Sequence, residues 1–196
     1  MSETGSVKFS CEHVAQETAP FAGFEQLNEC RQRLWQLGLI GLDANGIGYG
    51  NVSVREGDHF YITGSGTGGK SELALTDYAR VTAYDFTRNW LRCEGGTVAS
   101  SESLTHAAVY ESEARAGAVI HCHDLKLWKA LLGRVPTTAA TVAYGTPDMA
   151  HEVQRLFQKT DLGSQKIFVM GGHPEGVVTF GTDLAEASSV LSAARE

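Results

Sequence analysis

The chain has no run of apolar residues long enough to cross a bilayer, and Met1 to Pro20 has neither the charged start nor the continuous apolar core of a secretory signal. A cytoplasmic protein is the expectation. There is no block of Lys or Arg to track a phosphate backbone. With 16 basic residues against 23 acidic ones and a formal net charge of -7, the composition argues against nucleic acid and membrane surfaces as partners, so any anion site must be local. The four cysteines, Cys11, Cys30, Cys93 and Cys122, include no C-x-x-C pair, which leaves neither a thiolate zinc site nor a disulfide framework and reads as reduced thiols. No internal repeat divides the 196 residues, a length that supports one domain with a full core.

Periodicity lays out the elements that are present. Residues 1–22 are polar and aperiodic and read as a flexible N-terminal arm, or a segment ordered by a partner subunit, ahead of a single domain over 23–196. Phe24, Leu27, Cys30, Leu34 and Leu37 recur at helical spacing, with Gly38 and Gly41 as stop signals. Gly46, Gly48 and Gly50 form a flexible approach to a hairpin, 51–55 turning through Glu56-Gly57-Asp58 into 59–63, and a glycine-rich loop follows at 64–69. A second hairpin pairs 81–86 with 90–93. Residues 100–112 predict a helix capped by Ser100 or Ser101, with Glu102 in its first turn and His106 one turn further on the same face. Helices at 125–132, 147–158 and from Asp183 onward alternate with strands at 118–123, 167–170 and 177–180. The fold class expected is α/β in the α+β sense, a three-layer αβα domain around a central, largely antiparallel sheet.

The densest chemical signal is Ala118-Val119-Ile120-His121-Cys122-His123. Side chains alternate across a strand, so His121 and His123 share one face while Ile120 and Cys122 occupy the other, and two neutral imidazoles side by side are half of a zinc site. Taken with this pair, Gly50-Asn51-Val52-Ser53-Val54-Arg55, Ser65-Gly66, Ser100-Ser101-Glu102 with His106, and His173 after an apolar strand resemble, in order and spacing, the class II aldolase and adducin family from about Phe24 to Ala187. The resemblance implies that His121, His123 and His173 bind a divalent metal, zinc first among the candidates, and that Glu102 touches it in the empty site and serves as acid/base once substrate binds. Three imidazoles leave an open coordination position, as a catalytic metal requires. Gly50, Asn51, Ser65, Gly66, Ser100 and Ser101 then furnish N–H and O–H donors for a phosphate or carboxylate, aided by a helix N-terminus. The implied activity is that of a metal-dependent aldolase cleaving a sugar phosphate or hydroxy acid through a metal-stabilised enediolate, in a homotetramer. A dehydratase or an epimerase of the same family and a non-catalytic adducin-like module are the alternatives. His106 reads as a packed, hydrogen-bonded neighbour of the site, and His13, His59 and His151 as surface residues.

The chain departs from the family's pattern in two informative places. Pro136 leads into Thr137-Thr138-Ala139-Ala140 where such aldolases carry a tyrosine, and Tyr144 is nearby but out of register. His173 is followed by Pro174-Glu175-Gly176 where a glycine usually comes at once, which places an additional carboxylate close to the metal.

Overall fold

Eight strands form one sheet in the computed structural model, which describes residues 9–196. In chain order the elements are β1 (Ser10–Ala15), α1 (Phe24–Gln36), β2 (Gly41–Leu42), β3 (Gly48–Tyr49), β4 (Asn51–Glu56), β5 (His59–Thr63), a 3-10 turn (Leu75–Asp77), β6 (Tyr78–Asp85), β7 (Trp90–Gly95), α2 (Ser103–Ser112), β8 (Ala118–His123), α3 (Leu125–Leu131), α4 (Pro147–Lys159), α5 (Leu162–Gln165), β9 (Ile167–Val169), β10 (Gly176–Gly181) and α6 (Leu184–Arg195). The large sheet runs β1-β7-β6-β5-β4-β8-β10-β9, and β2 and β3 pair separately. Its ladders are antiparallel apart from the parallel pair β1 and β7. The mixed α/β class with a central, largely antiparallel sheet is the one expected.

Alternation along β8 shows how the layers are made. Val119 points into the core beneath α2 and α4, among Leu104, Ala108, Met149, Val153 and Leu156, whereas Ala118, Ile120 and Cys122 point to the opposite core with Leu27 and Leu34 of α1 and Leu191 of α6. Each fully buried leucine contributes about 1.5–3 kcal/mol. Helix α1 stops where predicted: Gly38 N–H donates to Trp35 and Leu39 N–H to Leu34, a paired closure that satisfies the last carbonyls. No helix among the described residues is long and apolar enough to cross a membrane.

The expected flexible arm is corrected over its second half. Residues 10–15 form β1, registered on β7 from Ser10 against Trp90 to Ala15 against Gly95, and Phe21 stacks on Tyr61 with ring centroids 3.6 Å apart. An edge strand with half-buried and exposed positions has little apolar alternation, so its sequence looks like a tail. Residues 1–8 of that arm lie outside the described ones. Strand β6 starts at Tyr78, three residues before the predicted onset, where Tyr78, Ala79 and Arg80 pair with Thr63, Ile62 and Tyr61 of β5, and a register shift against β7 falls between Val81 and Ala83.

Candidate active site

The carboxyl end of β8 is the organising point. Its neighbours are β4, where Asn51 lies opposite His121, and β10, where Gly176 lies opposite His123; the turn joining β9 to β10 carries His173. These three segments, the 42–50 and 64–68 loops and the start of α2 enclose a cavity of about 730 Å³.

Three imidazoles converge on it. Each of His121, His123 and His173 offers a ring nitrogen within 4.8 Å of the others, and the Nε2 atoms of His123 and His173 are 2.9 Å apart. His121 Nε2 is buried with no hydrogen-bond partner among the described residues. Burial, then the neighbouring histidines, holds His121 well below the ordinary imidazole range, and burial lowers His123 to about 4 against the opposing pull of Asp43. Both rings are therefore neutral near pH 7, the form a metal ligand needs. A buried imidazole nitrogen without a partner, facing two others, fits a divalent cation.

The other ring faces are also specified. The amide nitrogen of Asn51 lies 3.4 Å from His121 Nδ1, while Asn51 Oδ1 has no partner among the described residues. A half-turn of that amide sets Oδ1 to accept from Nδ1–H, the tautomer that leaves the Nε2 lone pair facing the cavity. Tyr49 stacks on His123 at 4.9 Å and 18°, and the Tyr144 ring lies 4.4 Å from that of His173. Glu175 Oε2 is 3.7 Å from His123 Nδ1. The His173 turn is tight: a Cβ on Gly172 would stand 2.1 Å from the Val142 carbonyl oxygen, so glycine alone lets the two backbones approach.

Glu102 occupies the N-cap position of α2 instead of its first turn, so the helix begins later than the predicted cap at Ser100 or Ser101, because the Ser100 carbonyl accepts from both the N–H and the hydroxyl of Ser103 and forms a turn there. Ser100 and Ser101 thus precede the cap. Glu102 is buried, lines the cavity, and accepts at Oε2 from Thr105 Oγ1 at 2.8 Å. It lies outside the group formed by the three histidines. His106 faces away, buried, with Nδ1 2.7 Å from Ser53 Oγ, which is itself 2.7 Å from the Tyr110 hydroxyl; burial brings its pKa down to about 3. Of the three histidines assigned to the surface, His151 is exposed, whereas His13 bonds the Gly95 carbonyl and His59 lies between Glu56 and Arg80.

All six residues expected to bind an anion, Gly50, Asn51, Ser65, Gly66, Ser100 and Ser101, line this cavity. Gly50 has a φ of +75°, and a Cβ there would lie 2.7 Å from Ile40 and 3.2 Å from the His121 carbonyl oxygen. The neighbouring loop is shaped from behind by Arg31 of α1. This guanidinium, 1 % exposed, donates to the carbonyls of Thr67, Gly68, Lys70 and Ser71. Since a trans peptide sets N–H opposite C=O, drawing the Thr67 carbonyl onto Arg31 turns the Gly68 N–H away from it. Among the described residues no Lys or Arg lines the cavity, so an anion there meets neutral donors.

Sequence reasoning passed over Asp43, Tyr49, Thr67 and Gly68 and placed Tyr144 out of register, yet all five line the cavity. They sit on irregular segments, where no period announces a side chain's direction; the glycine spacing around Tyr49 was the one available signal.

A family model described as the class II aldolase and adducin N-terminal domain matches residues 25–196. A protein of Nocardia farcinica (strain IFM 10152), described as "probable bifunctional methylthioribose-1-phosphate isomerase/methylthioribulose-1-phosphate dehydratase", is 30% identical, the match covering 70% of this chain and 28% of that protein. The chain thus spans under a third of that relative. Among solved structures, an L-fuculose 1-phosphate aldolase superposes with a TM-score of 0.69 at 18% identity, over 91% of this chain and 84% of the other. The L-fuculose-1-phosphate aldolase of Thermus thermophilus gives 0.62 at 23% identity, over 87% and 88%. Likeness at that identity shows a shared fold.

Proposed function

Because this chain belongs to the class II aldolase and adducin family, we propose that its cavity is the active site of a metal-dependent carbon–carbon lyase acting on a small hydroxylated, phosphorylated compound. The observation that carries the reading is the convergence of three neutral imidazoles, one with a buried nitrogen lacking a partner. His121, His123 and His173 would hold the metal, zinc first among the candidates, with Glu102 as a further ligand in the absence of substrate. Bound there, a divalent cation supplies Lewis-acid polarisation of a substrate carbonyl and its neighbouring hydroxyl.

The remaining work falls to this chain's own groups. Ser65, Gly66, Ser100 and Ser101, with Gly50 and Asn51, bind the phosphate through neutral donors at the N-terminus of α2. Glu102, oriented by Thr105, takes and returns the proton of the three-carbon fragment as general acid/base. Tyr144 presents a phenol on the wall beside His173, able to hold or donate a proton on the other side of the bond being broken.

Dehydration of a methylthioribulose-type sugar phosphate is the second reading, favoured by the Nocardia relative. A non-catalytic adducin-like module has no use for a complete histidine set and is the weaker option. The family resemblance extends the proposal to a cytoplasmic homotetramer, which sedimentation tests. Metal content of the purified protein, followed by dihydroxyacetone phosphate with a panel of aldehydes and, in parallel, methylthioribulose 1-phosphate, separates the readings. A carbon–carbon bond formed or cleaved supports the lyase, and water loss supports the dehydratase. A metal-free protein inert on both contradicts each.

A further inference from the structure

The left-handed backbone is costly for any residue with a Cβ, and Glu175 adopts it, at φ +73°, in the turn that delivers His173. Glycine would take that conformation without strain. Its surroundings do not enclose it, since the side chain is 43% exposed, so the question is what the carboxylate reaches. Two of the turn's backbone bonds fix its path, from Asp124 N–H to the Glu175 carbonyl at 3.0 Å and from Gly176 N–H to the His173 carbonyl at 3.0 Å. Neither bond requires a carboxylate. What the carboxylate approaches is the neutral ring of His123, whose Nδ1 lies 3.7 Å from Oε2, a small side-chain adjustment away from a hydrogen bond with an Nδ1–H donor. The opposite ring nitrogen of His123, Nε2, is the one that faces His173.

We propose that Glu175 is a positioning residue for the metal centre: strained into a left-handed turn, it holds the Nδ1–H edge of His123 so that Nε2 presents its lone pair to the cation. A carboxylate behind a ligating imidazole fixes the ring's tautomer and orientation and raises its basicity. The stacked Tyr49 ring controls the plane of His123 but not which nitrogen carries the proton, so the two neighbours do different work. Asp43, which also lines the cavity, adds negative charge on the same histidine without a contact that selects one nitrogen. The role rests on the three-histidine reading above and goes beyond it, because that reading gives Glu175 no part.

The test uses Zn2+ as the probe and the full chain as Glu175→Gln and Glu175→Gly, with His173→Ala as the control for the site itself. Zinc dissociation constants by chelator competition, and melting temperatures of the metal-free proteins, are read together. Because Glu175 is part-exposed, the loss of affinity in either variant falls near the lower end of what such outer groups give, about tenfold. In Glu175→Gly the metal-free melting temperature rises by about 2–4 °C as the backbone strain is released. A merely structural turn residue would move stability and affinity in the same direction. Zinc affinity within threefold of the parent in Glu175→Gln, or a lower melting temperature in Glu175→Gly, overturns the proposal while leaving the metal centre standing. If the parent chain binds zinc no better than His173→Ala, both fall.

Discussion

Acid should weaken this fold through one side chain that takes no part in the proposed chemistry. His106, on the inner face of α2, is fully buried against Ser53, and desolvation brings its pKa to about 3. In the unfolded chain the same imidazole titrates near about 6.5. Between those values the unfolded state binds a proton and the native state does not, so stability present above pH 6.5 is lost as the pH falls toward 3. Integrating that difference from pH 7 to pH 5 removes about 2 kcal/mol through His106 alone. The perturbation is His106→Asn, which keeps a polar atom against Ser53 Oγ but cannot titrate. At pH 7 the variant is less stable by about 1–3 kcal/mol, from a weakened hydrogen bond and a small void. The gap to the parent then closes by about 2 kcal/mol at pH 5. Urea unfolding of both proteins at four pH values, with chelator present so that His121 and His123 titrate alike in each, measures the gap directly. A gap that changes by less than about 0.5 kcal/mol, the usual scatter of such comparisons, would refute the reasoning.

Further outcomes follow from the site. Glu102→Gln retains bound metal but loses about 100- to 10,000-fold in kcat, checked by metal analysis beside steady-state rates; full activity would remove Glu102 from proton transfer. Gly172→Ala drives a Cβ into the Val142 carbonyl, destabilises the protein by about 1–3 kcal/mol and lowers zinc affinity, read by melting curves and chelator competition. Arg31→Met strips the buried carbonyls of Thr67 and Gly68 of their donor, which costs about 2–4 kcal/mol and raises KM for a phosphorylated substrate; an unchanged KM would show that the loop holds its shape without the guanidinium.

How much of this was legible depended on whether a segment repeats. The helix at 24–36, the strand at 118–123 and the hairpin at 51–63 announced themselves through spacing, whereas the serines and glycines expected to bind an anion were picked out by the family resemblance, and the structure places them on the cavity wall. Convergence of His173 with the histidine strand was readable through the ordered resemblance, since nothing local ties residues fifty positions apart. Edge strand β1 was missed because a half-solvated strand need not alternate. The placement of Tyr49 and Tyr144 on the cavity wall, and of Arg31 behind its loop, was not legible for a different reason. Each is placed by backbone that follows no period: a two-residue ladder, a loop after Thr137, and four carbonyls drawn onto one buried guanidinium.

Anomalous diffraction at the zinc edge, from crystals of the zinc-loaded protein, tests the central claim most directly. The account predicts a single peak per chain within about 2.0–2.1 Å of a ring nitrogen from each of His121, His123 and His173. A peak elsewhere in the chain, or a zinc contacting fewer than all three rings, would contradict it.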